Sequence, residues 1–452
     1  MIPSRRSLLT GALGAAAATA SVVAAHAGPR KDAAGHTAGA HALLPESTGD
    51  DTARLQADID RAAAEGRPVL LPAGTLRTGA LTLHTGTALI GAYGLTTLEF
   101  IGGAALITAT SAETLRIENL VLDGASRALD ADDNAALIRL TDCANVKISN
   151  VTVRRALANG ITLTRCSGRV VDCTISNVLL AAIRSLDATG LEIAHNAISQ
   201  CRNNGIQVWR SEPGEDGTRV TANRIAHIES KGGGTGQNGN GVNVFRAANV
   251  IVSGNRITDC AYSAVRGNAA SNIQILANNA QRIGEVALYA EFGFEGAIIA
   301  NNLVDGAATG ISVTNFNDGG RLAVVEGNLI RNLRRREHEP VDKRGEGISI
   351  EADTLVSGNV IESAPTCGIM VGWGRYMRNV LVTQNLIRDA ATGILISSDA
   401  EAGACLVSSN MITGAKGGAI RAMTNGQAQG PDLATAPTEP GARISISANL
   451  VS

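Results

Sequence analysis

The stretch Ser253–Gly267, SGNRITDCAYSAVRG, holds two short apolar pulses separated by a polar turn. Other stretches say nearly the same thing: EGNLIRN (326–332) before GEGISIEAD (345–353), then SGNVIESAPTCGIMVGW (357–373) and TQNLIRDAATGILISS (383–398). Each has an Asn, an Ile or Val close behind it, and a second pulse that often opens Gly-Ile. The anchors read as Asn196, Asn223, Asn255, Asn278, Asn301, Asn328, Asn359, Asn385 and Asn410, spaced 23 to 32 residues apart, with Asn150 and Asp172 in nearby places in earlier turns. A period in this range means a solenoid. The alternation in GIQVW, GISVT and GISIE has period two, the strand period. Asn, Gly and Asp recur too often for helical repeats.

A single right-handed parallel β-helix accounts for these features. Like strands stack coil on coil, inward aliphatics align in columns, and stacked Asn side chains bond along the turn. Gly before the second pulse avoids a Cβ clash at the bend. The composition agrees: 44% hydrophobic residues but only 2% aromatic, with 51 Gly, which suits a narrow core of Ile, Val, Leu and Ala. The seven Cys make no CxxC pair and read as small hydrophobes in interior columns. Ile206, Ile311 and Ile369 are expected to be buried.

A net charge of -2 and the absence of a basic stripe argue against nucleic acid as a partner. Residues 1–27 carry Arg5-Arg6, an Ala-rich run and Ala25-His26-Ala27, the pattern of a twin-arginine-type signal peptide. The expected partner in export is the twin-arginine translocase, the expected location the periplasm or outside, with no stable membrane anchor. Residues 28–44 read as a flexible linker. Residues 45–80 read as an N-terminal cap, with a helix face of Leu55, Ile59 and Ala63 ended by Gly66 and followed by a first strand. Residues 81–452 are the β-helix.

The segment DDTARLQADIDRAAAEGRPVLLPAGTLRTG (50–79) resembles the opening of the pectate-lyase-like right-handed β-helix superfamily, through Asp50-Asp51-Thr52 and Leu71-Pro72-Ala73-Gly74. The chain also resembles a bacterial family of twin-arginine-exported repeat proteins. The superfamily holds polysaccharide lyases, glycoside hydrolases, epimerases, esterases and phage tailspikes, so fold alone does not select a reaction. The Asp-Pro-His-Asp run of alginate epimerases is absent. Polygalacturonases carry Asn-Thr-Asp, Asp-Asp and Gly-His-Gly. Asp132-Asp133 stands here without those companions.

The Gly-Ile strand offers a face. With Ile206 and Val208 inward, Gln207 and Trp209 point out. One outward column then holds Arg184, Gln207, Asn243, Arg266, Tyr289, Ser312 and Ser349. A second holds Leu186, Trp209, Phe245, Asn268, Glu291, Thr314 and Glu351. Aromatics gather near this face (Phe292, Phe294, Trp373 and Tyr376 as well), and rings beside amides and carboxylates suit a sugar chain. Two insertions, 227–241 and 331–347, enter at the same edge and are expected to wall a cleft roughly 20 Å long.

The expected catalytic set is Glu291 and Glu351 as acid/base candidates, Arg266 as a clamp for a uronate carboxylate, and Tyr289 as proton carrier. The expected substrate-binding set is Gln207, Trp209, Asn243, Phe245, Asn268, His338 and Trp373. His227 is a further base candidate. Some pectate lyases use Ca2+, but no acidic cluster supports a calcium site here, and no cofactor is expected. The leading reading is an exported polysaccharide-active enzyme, lyase or glycoside hydrolase, on a polymeric and sometimes acidic glycan. The alternative is a noncatalytic polysaccharide-binding or structural cell-envelope protein.

Overall fold

The computed structural model describes residues 49–130, 134–234, 236–337, 345–435 and 443–452. The signal-peptide and linker assignments, Asp132-Asp133 and His338 lie outside them. The described chain winds into three sheets of 15 strands each, one strand per sheet per coil. All neighbours are parallel except the last pair of the third sheet, where Gln427–Asp432 folds back antiparallel on Ile420–Thr424. The first coil begins at Val69–Leu70, inside the stretch expected to be cap. Among the described residues no helix is long and apolar enough to cross a membrane.

The one α-helix among the described residues, Thr52–Glu65, ends at Gly66 in the left-handed region (φ 64°). Its inward face is Leu55, Ile59 and Ala62 rather than Ala63. The Asp-Asp-Thr run ties it to the first coil. Asp51 Oδ2 accepts the Arg77 N–H at 3.1 Å, and Thr52 Oγ1 accepts the Gly79 N–H at 2.7 Å.

Inside, Ile206, Ile311 and Ile369 are fully buried, as their columns require, and all seven Cys are buried free thiols. Phe294, expected near the outer face, is fully buried as well. The glycine that opens the second pulse has an ordinary φ. What excludes a side chain at Gly347 is space: a Cβ there would lie 2.2 Å from the Gly368 carbonyl of the next coil.

The turn between the first and second sheets carries an asparagine ladder. Starting from Asn196, each of Asn223, Asn255, Asn278, Asn302, Asn328, Asn359, Asn385, Asn410 and Asn449 accepts at its side-chain oxygen from the Asn one coil before it. Asn302 Oδ1 takes both the main-chain N–H of Asn278 at 2.9 Å and its Nδ2 at 3.1 Å. The expected anchor Asn301 is not on the ladder. It is exposed and left-handed (φ 58°), like Asn150 and Asp172 at the same turn position. Two adjacent Asn residues hide this from period counting. Asn302→Ala should therefore cost about 3 kcal/mol or more, because it strands buried donors on Asn278. Asn301→Ala should cost only about 1 kcal/mol, for an alanine held left-handed. Urea midpoints compare the two, and equal losses would contradict the assignment.

Candidate functional site

Strand pairing confirms both outward columns of the third sheet as far as Glu291. The first column continues through Tyr289, Ser312 and Ser349. Along this face the expected site residues fall into three neighbouring groups.

The first group is Gln207, Trp209, Asn243 and Phe245. The Trp209 indole N–H donates to Asn243 Oδ1 at 2.8 Å, and the Trp209 and Phe245 rings meet edge to face with centroids 6.0 Å apart. Arg184 covers Trp209 at 5.0 Å and reaches Gln207 Oε1 at 3.4 Å. Trp209, Asn243 and Phe245, with Arg266, Asn268 and Phe292, line a depression of about 260 Å³.

The second group is Arg266, Asn268, Tyr289 and Glu291. Arg266 Nε donates to Glu291 Oε1 at 2.6 Å, and Asn268 Nδ2 donates to the same oxygen at 2.9 Å. The Arg266 guanidinium sits 5.3 Å from the Tyr289 ring. This is the convergence expected of the site's centre, but it is closed. Glu291 is 1% exposed and Arg266 8%. The first insertion was expected to stand as a wall, yet it lies over Arg266: a Cβ on Gly236 would fall 1.4 Å from Arg266 Nη1. The Gly232 N–H donates to Asn203 Oδ1 at 2.7 Å, and the Tyr262 hydroxyl donates to Gly234 O at 3.3 Å. These bonds hold the loop down, and its glycines allow the close approach. Burial, reinforced by the Glu291 charge, raises the Tyr289 phenol above its ordinary range. Tyr289 is thus a fixed hydroxyl, not a ready phenolate base.

The third group forms an open groove of about 470 Å³ further along the same face, lined by Tyr289, Ser312, Glu346, Glu351, Trp373 and Tyr376 among others. Trp373 and Tyr376 exchange main-chain hydrogen bonds at 3.2 and 3.0 Å, which presents both rings from one tight loop. Glu351 is 9% exposed, and Oε2 accepts the Phe316 N–H at 2.7 Å. Burial pushes its carboxyl up to about 7, against the opposing pull of the Phe316 and Asn315 N–H groups. It therefore carries its proton to near-neutral pH.

Sequence reasoning missed the shift of the open space from Glu291 toward Glu351. It also missed Glu346 and Glu285, which line the groove. Period two gives Glu346 the inward parity of Ile348 and Ile350, so alternation alone hid it; it opens its strand in register with Thr309 and Cys367 and lines the groove. His227 is elsewhere, a left-handed residue near the end of the second-sheet strand Arg224–Ile228, in a separate depression with Arg155, Asn177 and Arg202.

The sequence matches the family described as the right-handed β-helix region over residues 136–232 and 212–385, more than half of the chain, and the chain belongs to that family. No curated protein matches it. Among solved structures it is similar to a PL6 alginate lyase in complex with a trisaccharide, at 12% identity and a TM-score of 0.52, over 88% of this chain and 93% of the lyase. It is also similar to the catalytic unit of a GH87 α-1,3-glucanase from Streptomyces thermodiastaticus strain HF3-3, at 14% identity, TM-score 0.49, covering 90% and 67%. A third is the A-module of the Azotobacter vinelandii mannuronan C-5 epimerase AlgE4, at 18% identity, TM-score 0.44, covering 76% and 93%. At these identities the likeness is one of fold.

Proposed function

We propose that this β-helix acts on a polysaccharide lying along the groove between Tyr289 and Trp373, with Glu351 as the proton donor to the glycosidic oxygen. The observation that carries the reading is the juxtaposition of a sheltered carboxyl, Glu351, with the rings of Trp373 and Tyr376 in one open groove. Rings cover the C–H faces of a sugar, and a carboxyl that keeps its proton near neutrality suits general acid catalysis.

The groove's charge favours a neutral glycan. Its described lining includes Glu285, Glu346 and Glu351 and no Lys or Arg. A uronate carboxylate there would meet like charge, and Arg266, the expected clamp, is engaged with Glu291. Hydrolysis is therefore favoured over β-elimination. The lyase whose fold this chain shares acts on alginate; the groove, not the fold, supports extending polysaccharide chemistry to this chain.

One observation favours a second reading, noncatalytic polysaccharide binding. An inverting pair needs a second carboxylate about 6.5–9.5 Å from the first. Glu291, two coils from Glu351 and roughly 10 Å away by strand spacing, is enclosed by Arg266 and Asn268. Neutral and acidic polysaccharides, tested for binding, reducing ends and unsaturated products, separate the cases. Cleavage of a neutral polymer supports the hydrolase, and binding without cleavage supports the second reading. Unsaturated ends from a uronate polymer would overturn the charge argument, and neither binding nor cleavage would overturn the groove assignment.

Export is part of the same proposal and rests on Arg5-Arg6 and the run after them. Changing both to Lys should retain the precursor inside the cell, which fractionation reads directly.

A further inference from the structure

Away from the groove, the early coils hold two thiols in an arrangement that none of the other cysteines shares. Arg139, Leu140 and Thr141 pair in register with Thr162, Leu163 and Thr164. Cys143 and Cys166 each follow two residues after the paired Thr, so they occupy the same rung of consecutive coils. The Ser167 N–H donates to Cys143 O at 3.0 Å, which closes the register on the far side of the pair. Such in-register neighbours stand about 4.8 Å apart, within the Cα separation of about 4.4–6.8 Å that a cystine spans.

The side chains turn into the same space. Cys166 Sγ donates to Thr164 O at 3.3 Å and reaches back to Leu140 O, on the coil of Cys143, at 3.5 Å. Cys143 Sγ donates to Thr141 O at 3.2 Å. The remaining five do not stack this way. Cys201 and Cys260 share a column but have Ile228 between them. Cys173 precedes Asn196 on its turn, Cys367 lies between Glu346 and Thr392, and Cys405 between Val380 and Ile444.

We infer that Cys143 and Cys166 form a redox pair that closes to a cystine joining the two coils, with a low-molecular-weight disulfide as oxidant. The Cys143 thiolate attacks one sulfur of that disulfide and releases the first small thiolate. Cys166 gives up its proton and attacks Cys143 Sγ, forming the cystine and releasing the second. Two protein thiols are oxidised, and one small disulfide is reduced to two thiols. The direction of titration suits these roles: the neighbouring Cys166 side chain lowers the Cys143 thiol, while Cys143 and burial raise Cys166. Both residues are 1% exposed, so exchange takes place as the coils close or open rather than at a finished surface.

The test uses the full chain in mixtures of oxidised and reduced glutathione. One arm equilibrates the native protein, and the other unfolds it in urea and refolds it across the same ratios. Both end in alkylation under denaturing conditions and peptide mass mapping. The expected result, in either arm, is a single crosslink joining the peptides of Cys143 and Cys166, with the other five of the seven thiols alkylated. The oxidised protein should melt a few degrees above the reduced form, and Cys143→Ser should abolish both the crosslink and that redox-dependent difference. Alkylation of all seven thiols at every ratio in both arms, or a crosslink joining a different pair, would overturn the inference.

Discussion

Arg266→Ala should lower stability by about 3–5 kcal/mol, the range found when one partner of a buried ion pair is removed. The side chains of Arg266 and Glu291 are 10% and 2% exposed, and their bond is 2.6 Å. Without the guanidinium, the Glu291 carboxylate keeps the Asn268 amide and the Tyr289 hydroxyl but no counter-charge, beneath a loop that keeps solvent away. The charge must then be paid for in desolvation, taken up by a proton, or exposed by lifting the 229–239 loop. Adding Glu291→Gln to Arg266→Ala should recover most of the loss, since a neutral amide needs no counter-charge and still bonds Asn268. Urea midpoints of the wild type and the single and double variants provide the measurement. A single variant as stable as wild type would show that the pair is not buried in solution. A double variant as unstable as the single would show that lost packing, not charge, sets the cost.

Glu351→Gln should reduce turnover on a cleaved glycan by about 10² or more while binding survives, because the amide keeps the shape but has no proton to give. The same substitution has a consequence that does not depend on the substrate. The Glu351 carboxyl sits at about 7 in the folded protein against an ordinary 4.5, chiefly through burial. Between those values the folded state holds a proton that the unfolded state has released. The associated stability is complete below about pH 4.5 and is lost as pH rises through about 7. A shift of this size corresponds to a few kcal/mol at most, on the order of 1.4 per pH unit. Glu351→Gln should therefore flatten the decline in the urea midpoint between pH 5 and 8. Parallel pH profiles of the two proteins would refute the burial assigned to Glu351. A flattened profile with unchanged turnover would keep the burial but move the protein to the noncatalytic reading.

Much of the fold was legible because a solenoid writes its architecture into local repetition. Each coil must supply an aliphatic to every column, so Ile206, Ile311 and Ile369 announced their burial, and the alternation around Gln207 and Trp209 oriented the outward face correctly. The Gly66 stop and the helix of the cap were readable for the same local reasons. The ladder was misplaced by one residue at Asn301-Asn302. The two share chemistry, and only the turn's dihedrals separate the left-handed residue from the buried one.

The candidate site was legible as a face but not as a cavity. Period two says which side chains leave the core, and it brought Arg266, Asn268, Tyr289 and Glu291 together correctly. Period two says nothing about where a glycine-rich insertion settles. Gly236 of the first insertion closed the expected centre over Arg266, and the loop carrying Trp373 and Tyr376 opened the groove beside Glu351 instead. The sequence by itself determined the parallel β-solenoid and its outward columns, because strand alternation and coil stacking are near-neighbour rules. Only the tertiary structure decided which carboxylate is sealed in an ion pair and which lines an open groove, because that depends on how non-repeating loops pack across several coils.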